Sequence, residues 1–322
     1  MENRVKKGHA MILVTGGSGY LGSHIVHRLV TEGRPVRVLV RSAEHARREG
    51  RLKDLGVEIT EGDVTRPKTL KLAMRGVTAI IHTVAIAIES EGATYESINT
   101  QGTVNVVDAA LEADIHRFIN ISQLGASSKL PYRFLASKAK AQEYLADSEL
   151  EWTAFRPSVI WGPEDEFANT FARLVPITPV IFPIIGGPET RFQPVWVEDV
   201  ATAVVKSLED PSTFRKEFEL GGPEVITLEE IERRTLEAIG AGRIMVRFPM
   251  PLLRLAVRIM EIALPHPPVS RSLLELLAVS NVTSENALNR FVERPRPFTA
   301  NAASEYMREF RIRDTLRQYF GR

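Results

Sequence analysis

The sequence has no cysteine among its 322 residues. This absence excludes disulfide bonds, a thiolate nucleophile, zinc ribbons and cysteine-ligated iron–sulfur clusters. A metal site built from other ligands is not predicted either, because His24 and His27 have no third ligand at a suitable spacing. These redox and metal classes are therefore excluded before any motif is considered.

Long apolar runs and an excess of one charge are also missing. No stretch approaches the roughly 20 apolar residues of a membrane span, and the first ten residues, MENRVKKGHA, lack the apolar centre of a signal peptide. The 41 lysines and arginines nearly balance the 40 aspartates and glutamates. The net charge therefore creates no overall electrostatic field that would attract nucleic acid or acidic lipid. We expect a cytoplasmic protein with an N-terminal extension over 1–10, no transmembrane segment and no nucleic-acid partner.

Up to about residue 160, short apolar runs alternate with amphipathic stretches. The runs are AMILVT (10–15), VRVLV (36–40), GVEITEGD (56–63), VTAIIHTVA (77–85), RFINIS (117–122) and WTAFRPS (152–158). Because most of them are continuous rather than alternating, their strands should be buried on both faces. The pattern predicts an α/β fold with a doubly wound parallel sheet and helices on both sides.

The character of the sequence changes after Pro163. The stretch LVPITPVIFPIIGGPE is broken by prolines, which excludes a regular helix or a central strand. FQPVWVEDVATAVVKSLED then indicates a strand and a helix that return to the sheet. We therefore predict a sheet domain over 11–162, joined by 190–209, and a smaller, mainly helical lobe on the substrate side over 163–189 and 210–322.

The segment 251–280 is unusually apolar. In PLLRLAVRIMEIAL the charged residues Arg254, Arg258 and Glu261 form one narrow stripe, and PHPPVSRSLLELLAVS adds a second apolar helix after a proline break. An ordinary core is the favoured interpretation. The alternatives are the wall of a hydrophobic substrate cleft, an oligomer contact, and docking to a membrane-associated partner.

Three glycines, Gly16, Gly19 and Gly22, lie in VTGGSGYLG, after a predicted strand and at the start of a predicted helix. Glycine at these positions permits a tight turn, close approach of the backbone to a pyrophosphate, and packing of the helix against the strand. The phosphates then face the amide groups at the helix N-terminus. This context predicts that the sheet domain is a dinucleotide-binding Rossmann domain.

The ends of the second and third predicted strands bear on the choice of dinucleotide. Arg41 and Ser42 lie about twenty residues beyond the glycines, where an acidic residue would bind the ribose 2′-hydroxyl of NAD(H). An arginine favours the 2′-phosphate, so NADP(H) is predicted over NAD(H). Asp63 suits either a carboxylate that accepts from the adenine amino group or an ordinary turn residue, and both interpretations stay open.

Eight motifs occur in an order that resembles a known superfamily. They are TGGSGYLG, GDV, IIHTVA, NTQGTVNVVDAA, FINISQLGA, FRPSVIWGP, QPVWVEDVA and ELGGPEVITLEEI. Together they resemble the extended or atypical, epimerase/dehydratase-like branch of the short-chain dehydrogenase/reductase superfamily over nearly the whole chain. Within it the chain is most similar to the group around the Rossmann-fold accessory subunit of respiratory complex I, through YRFLASKAKAQEYLADSELEWTAFRPSVIWGPED and LGGPEVITLEEI.

The resemblance implies roles for individual residues. The implied pyrophosphate contacts are Gly16, Ser18, Gly19, Tyr20, Leu21 and Gly22. The implied contacts of the adenosine half are Arg41, Ser42, Asp63 and Val64. The implied contacts of the nicotinamide half are Val84, Ala85, Ser122, Lys138, Pro157 and Val159, of which Ser122 and Lys138 are also the implied catalytic residues. It further implies that Asn99 shapes the helix near the site, and that helices over 93–113 and 134–147 pair in a homodimer.

Active members of the superfamily carry a tyrosine four residues before this lysine. One helical turn then brings the ammonium beside the phenol and lowers the phenol's pKa. Here the residue is Phe134, which has no ionisable proton. Tyr132 lies roughly 120° from Lys138 around an ideal helix and would replace it only if the preceding turn bends it inward. His82 is a second candidate acid or base, although a packed, hydrogen-bonded imidazole is favoured.

Three functional hypotheses follow. The first is an oxidoreductase that binds NADP(H) and transfers hydride to or from a carbonyl-type group on a hydrophobic small molecule; Ser122 would polarise the oxygen, and Lys138 would orient the cofactor or relay a proton. The second is a non-catalytic nucleotide-sensing or assembly protein related to the complex I accessory subunit. The third is a sugar-nucleotide epimerase or dehydratase, which the missing tyrosine disfavours most. The sequence favours the first and leaves open whether the protein turns over.

Overall fold

The computed structural model describes residues 10–48, 50–185, 189–263, 274, 276–277 and 279–307. Nearly all of the predicted N-terminal extension and most of the predicted second apolar helix, 265–280, lie outside the described residues. The chain forms two compact units. Among the described residues, the first unit comprises those up to Arg156 together with Ala201–Phe218, and the second comprises Pro157–Val200 and those from Glu219 onwards.

The strands and helices of both units follow in chain order; in most of the first unit they alternate. The strands are β1 (Met11–Thr15), β2 (Val36–Val40), β3 (Glu58–Glu61), β4 (Val77–His82), β5 (Arg117–Ile121), β6 (Glu151–Pro157), β7 (Ile160–Trp161), β8 (Ile181–Ile184), β9 (Arg191–Phe192), β10 (Val195–Trp196), β11 (Lys216–Leu220), β12 (Ile226–Thr227) and β13 (Ile244–Arg247). The α-helices are α1 (Tyr20–Thr31), α2 (Ala43–Arg48), α3 (Pro67–Ala73), α4 (Gln101–Glu112), α5 (Arg133–Asp147), α6 (Ala168–Leu174), α7 (Val197–Ser207), α8 (Leu228–Ile239), α9 (Met250–Ala263), α10 (Leu288–Phe291) and α11 (Ala300–Met307). A π-helical turn, Glu96–Thr100, leads directly into α4.

The central sheet confirms the predicted fold class. Its strand order is β11-β6-β5-β4-β1-β2-β3, and the ladders that join β1 to β6 are parallel. β5 is buried along its whole length, as expected for a strand covered by helices on both faces. The strand order reverses at β1, which lies between β2 and β4. The carboxyl ends of these strands therefore form the kind of crevice in which doubly wound folds bind ligands.

An apolar core packs this sheet against α3, α4 and α5. Leu13, Ile80 and Phe118 extend from β1, β4 and β5 and are fully buried, together with Val106 of α4 and Leu145 of α5. Burying each such side chain contributes about 1.5–3 kcal/mol. This packing fixes the three strands whose ends carry most of the predicted site.

The second unit contains short strand pairs and the remaining helices. β7 pairs with β10 and β8 with β13 in parallel, whereas β9 pairs with β12 antiparallel. Thr227 caps the start of α8, where its hydroxyl accepts a hydrogen bond from the Glu230 amide at 3.2 Å, and Gly240 caps the end in a left-handed conformation (φ +71°). Cap and stop residues therefore define this helix locally.

Two features differ from the sequence predictions. β9 and β10, within the segment 190–209, pair outside the central sheet, and the strand that completes the sheet is β11, which lies in the segment predicted to form the helical lobe. Its sequence, KEFEL, alternates charged and apolar residues, as an edge strand with one neighbour permits. The ordinary-core interpretation of 251–280 holds for only one face of α9, because Val257 is buried but Leu255 and Ile259 are exposed.

Candidate functional site

The turn between β1 and α1 passes directly against the residues that follow β4. Gly16 has a left-handed backbone (φ +78°), and a Cβ there would lie 2.6 Å from Thr83 Oγ1 and 3.0 Å from the Val84 amide nitrogen. Gly22 faces the same turn from α1, where a Cβ would lie 2.2 Å from the Gly16 carbonyl oxygen. Without rearrangement, only glycine fits at these two positions.

The start of α1 fits a pyrophosphate. Gly19 is its N-cap residue, and among the described residues no side chain caps this end and no acid occupies its first turn. The first amide groups of a helix have no partner within the helix, and they carry partial positive charge. Ser18 and Gly19 are exposed, whereas Leu21 and Gly22 are buried behind them. The glycine cradle and the uncapped helix end therefore form an anion-binding surface of the kind that holds a dinucleotide's phosphates.

The edge predicted to bind the adenosine half carries charges of both signs. Arg41 and Ser42 follow β2 directly and are exposed. On the neighbouring strand, Glu61 pairs in register with Val40 and accepts a hydrogen bond from the Ala43 amide at 2.8 Å. The arginine favours a 2′-phosphate, and the carboxylate opposes one.

Asp63 forms a turn of its own. Its Oδ1 accepts from the Thr65 amide at 2.9 Å and from the Thr65 hydroxyl at 2.8 Å. Val64 is buried beside it, and its carbonyl accepts from Asn105 Nδ2 at 2.7 Å. The turn-residue interpretation of Asp63 thus has a direct structural basis, and an adenine contact would have to use the remaining acceptor capacity of the carboxylate.

Ser122 and Lys138 lie at adjoining positions near the end of β5. Both are buried, and Lys138 Nζ donates to the Ile121 carbonyl at 2.5 Å, one residue before Ser122. Burial lowers the pKa of Lys138 to about 8. The Ser122 amide donates to the Phe155 carbonyl at 2.7 Å, while its hydroxyl has no hydrogen-bond partner among the described residues. A buried, unpartnered hydroxyl suits a ligand oxygen.

Phe134 occupies the position of the tyrosine that active relatives carry. Its ring meets the ring of Tyr95 edge-on, with centroids 5.7 Å apart. Tyr132 lies outside the helix as the N-cap residue of α5, with an extended backbone, and is half-buried. Tyr132 is therefore not part of the regular helix face that Phe134 and Lys138 share.

A buried network that local sequence does not reveal anchors the start of α5. Asn99, in the π-helical turn, exchanges hydrogen bonds with the backbone of Ile86 at 2.8 and 3.1 Å and donates to Ser137 Oγ at 3.1 Å. Ser137 in turn donates to the Phe134 carbonyl at 2.7 Å. Through these hydrogen bonds Asn99 links the loop after β4 to the helix that bears Lys138, which gives its predicted shaping role a physical basis.

His82 is a packed structural imidazole, as the sequence favoured. The Thr103 hydroxyl donates to the Asn99 carbonyl at 2.8 Å, so the hydroxyl oxygen is left to accept from His82 Nε2 at 3.0 Å. The other ring nitrogen, Nδ1, then accepts from Thr15 Oγ1 at 2.7 Å. Burial, with a smaller effect of the Lys138 charge, lowers the pKa of His82 to about 3. The ring is therefore neutral near pH 7, and its nitrogens are already occupied.

The remaining predicted residues divide between the two units. Val84 and Ala85 follow β4 in the first unit, and Val84 lies against Gly16. Pro157 and Val159 belong to the second unit, where the Val159 carbonyl accepts from the Val195 amide at 3.0 Å. The first unit alone thus brings together the glycine turn, the end of β4 and the Ser122–Lys138 pair.

This fold and this glycine turn define a nucleotide-binding protein of the Rossmann class. Residues 16–211 match a family model described as NAD(P)H-binding, and the chain belongs to this family. The chain is 31% identical over 287 residues to subunit 9 of the NADH dehydrogenase [ubiquinone] 1 alpha subcomplex of Arabidopsis thaliana, covering 85% of this chain and 71% of that protein. This similarity confirms the predicted membership in the group around the complex I accessory subunit.

Other relatives carry different activities in their names. A ceramide reductase of Caulobacter vibrioides is 28% identical over 242 residues, covering 75% of this chain and 74% of that protein. The structure of a Thermus thermophilus UDP-glucose 4-epimerase in complex with NAD superposes with a TM-score of 0.70 at 22% identity, covering 93% of this chain and 98% of that one. At that identity the structural similarity supports the fold alone. None of the described helices is long and apolar enough to cross a bilayer.

Proposed function

We propose that this protein holds NADP(H) as a retained dinucleotide and serves as a nucleotide-binding component of a protein assembly, without tyrosine-dependent turnover. The observation that carries the proposal is Phe134, an aromatic ring without a proton to donate, one helical turn before Lys138. The glycine turn and the uncapped start of α1 suit the phosphates, and Arg41 suits a 2′-phosphate. The chain therefore has side chains and backbone groups suited to binding the dinucleotide, but it lacks the usual tyrosine that would donate a proton.

The other groups near Lys138 support the same conclusion. His82 is neutral and engaged through both nitrogens, with its pKa lowered to about 3, so it is a poor acid or base near neutral pH. The Lys138 ammonium already donates to the Ile121 carbonyl. The relative named as a complex I subunit has a role within an assembly, which supports a similar role here.

Hydride transfer to a hydrophobic carbonyl compound is the second candidate, and two observations favour it. The Ser122 hydroxyl is buried without a partner among the described residues, so it is free to donate to a substrate oxygen. Lys138 has its pKa lowered to about 8, so it can exchange a proton near neutral pH. When bound, the dinucleotide would supply or accept the hydride. The relative named ceramide reductase agrees with a hydrophobic substrate.

Titration of the purified protein with NADPH and NADH, followed by single-turnover assays with a panel of hydrophobic ketones, quinones and amides, tests the proposal. We expect retained NADPH that wild type does not oxidise. Phe134→Tyr restores the phenol, and Phe134→Leu is the matched control that changes packing without adding an acid. Turnover gained only by Phe134→Tyr would support a binding role for the natural chain.

Two results would contradict the proposal. Wild-type turnover that disappears in Ser122→Ala would establish the reductase instead. Failure to bind either dinucleotide would remove both candidates. The assembly role is checked by purifying the tagged chain from its native cells, where we expect a stoichiometric protein partner.

A further inference from the structure

One side of α9 is apolar and exposed. The helix contacts the core of the second unit through Val257, which is 4% exposed. By contrast, Leu252, Leu255, Ile259 and Ile262 are 54%, 54%, 58% and 80% exposed. At 100° per residue these four side chains fall within an arc of about 80°. They therefore form a continuous apolar stripe, named here the α9 stripe, on a side that the core does not use.

Positive charge is concentrated beside the α9 stripe. Arg254 and Arg258 are exposed. Ile262 lies at one edge of the stripe, and around the helix axis Arg258 lies about 40° and Arg254 about 80° beyond it. Within residues 243–263, Arg247 is paired with Glu229, which leaves three arginines and one glutamate, a net charge of +2, although the whole chain carries only +1. The near-neutral chain thus has a local excess of positive charge that its total charge conceals.

The chain that enters α9 adds further exposed apolar side chains. Phe248, two residues before the helix, is 40% exposed. Ile244 in β13 is 63% exposed, and its ladder partner Ile181 in β8 is 47% exposed. Large apolar residues exposed in a series like this are typical of an interaction surface.

We propose that α9 docks on the surface of a bilayer containing anionic lipid, with the α9 stripe facing the acyl chains and Arg254 and Arg258 facing the headgroups. Leucine and isoleucine on one side of a helix, with arginine on the next, are the features of an interfacial helix. Arginines near an anionic surface are attracted to its headgroups.

Length and charge select this partner over the alternatives. The 14 residues of α9 span about 21 Å, shorter than the roughly 30 Å hydrocarbon core, so the helix would lie on the bilayer rather than cross it. An antiparallel contact with a second copy would bring the arginine edges of the two helices to the same side. An anionic bilayer matches both the apolar stripe and the positive edge. This inference is independent of the proposed nucleotide function.

Co-sedimentation of the full chain with vesicles tests the inference. We expect binding to phosphatidylcholine vesicles that contain phosphatidylglycerol, weaker binding to phosphatidylcholine alone, and a loss of binding as salt increases. Leu255→Ser with Ile259→Ser should lower the partition coefficient at least about tenfold, and Arg254→Gln with Arg258→Gln should abolish the preference for anionic vesicles. Leu72→Ser with Leu111→Ser, at two exposed leucines of the first unit, is the matched control and should bind like wild type.

Circular dichroism and thermal melting check that each variant is folded; all four substituted positions of α9 are exposed. The inference is overturned if wild type binds neither kind of vesicle, or if the stripe variant, Leu255→Ser with Ile259→Ser, binds as tightly as wild type. Sedimentation equilibrium distinguishes a contact between copies. A wild-type oligomer that dissociates in the stripe variant, without any vesicle binding, would assign the stripe to self-association and overturn the bilayer proposal.

Discussion

The ring of Phe134 packs edge-on against the ring of Tyr95, with centroids 5.7 Å apart, one helical turn before Lys138. The Tyr95 hydroxyl donates to the Ala87 carbonyl at 2.8 Å. Two aromatic rings therefore meet at the position where active relatives carry a phenol beside the lysine. This end of α5 therefore combines aromatic packing with a buried ammonium, and the side chain at position 134 has no proton to donate.

The β1–α1 turn yields the first prediction. Gly16→Ala should lower NADPH affinity at least about tenfold, because the new Cβ would overlap Thr83 and push the turn away from the end of β4. Gly33→Ala is the matched control, since its backbone is also left-handed (φ +72°) but a Cβ there meets no atom within 4 Å. It should lower the unfolding free energy by about 1 kcal/mol without affecting affinity. If both variants lost the same NADPH affinity, the close contact between the turn and the end of β4 would not explain why glycine is needed at position 16. Calorimetric titration and urea unfolding measure the two effects.

The choice of dinucleotide depends on Arg41 in the second prediction. Arg41→Ala should weaken NADPH binding about tenfold and leave NADH binding nearly unchanged, because only NADPH offers a 2′-phosphate to the guanidinium. Lys68→Ala, at another exposed cation in the first unit, controls for the loss of positive charge and should affect neither ligand. Parallel changes in the two dissociation constants would show that Arg41 does not contact the phosphate.

Titration of Lys138 gives the third prediction. Because burial lowers its pKa to about 8, the side chain loses its charge as pH rises through that value. NADPH affinity should therefore fall by about tenfold between roughly pH 7 and 9, as a charge-assisted hydrogen bond to the nicotinamide ribose is lost. Lys138→Met should bind weakly at both ends of this range, with little pH dependence. Lys140→Met, at an exposed lysine of the same helix, should retain the wild-type profile, and a flat profile for wild type would contradict the assignment.

Glu232 in α8 makes stability depend on pH. It is fully buried, its Oε1 accepts from the Ile185 amide at 2.9 Å, and burial raises its pKa to about 9, with a smaller contribution from Glu229. The folded protein then holds a proton that the unfolded chain releases above about pH 4.5. The resulting stabilisation is complete below that pH and is lost progressively as pH rises towards 9.

Glu232→Gln keeps the shape and the acceptor but removes the titration. At pH 8 this variant should be more stable than wild type by about 1–4 kcal/mol, and the difference should vanish near pH 4. Glu237→Gln, exposed on the same helix, is the control and should change little. Urea unfolding across this pH range measures the difference, and parallel curves for wild type and Glu232→Gln would mean that Glu232 is ionised in the folded state.

Local sequence predicted the parts of the site that depend on short-range chemistry. The glycine spacing, the helix start that follows it and the four-residue separation of Phe134 and Lys138 can all be derived from a few neighbouring residues, because turns and helix faces obey local geometry. Continuous apolar runs likewise predicted the buried parallel strands. Partners distant in the chain could not be predicted in this way. Asn99 meets Ser137 across 38 positions, and although the resemblance implied a role for Asn99, no local pattern connects it to Ser137.

The residues alone thus determined the fold class and the dinucleotide turn, since each follows from side-chain type and spacing, and the family resemblance implied that Phe134 replaces the usual phenol. Tertiary structure decided which groups are buried and what they meet. It placed His82 between two threonines, buried Glu232 and left the Leu255 and Ile259 side of α9 exposed. The physical reason is that burial, pKa and surface exposure depend on what packs around a side chain, and distant parts of the chain supply most of those neighbours.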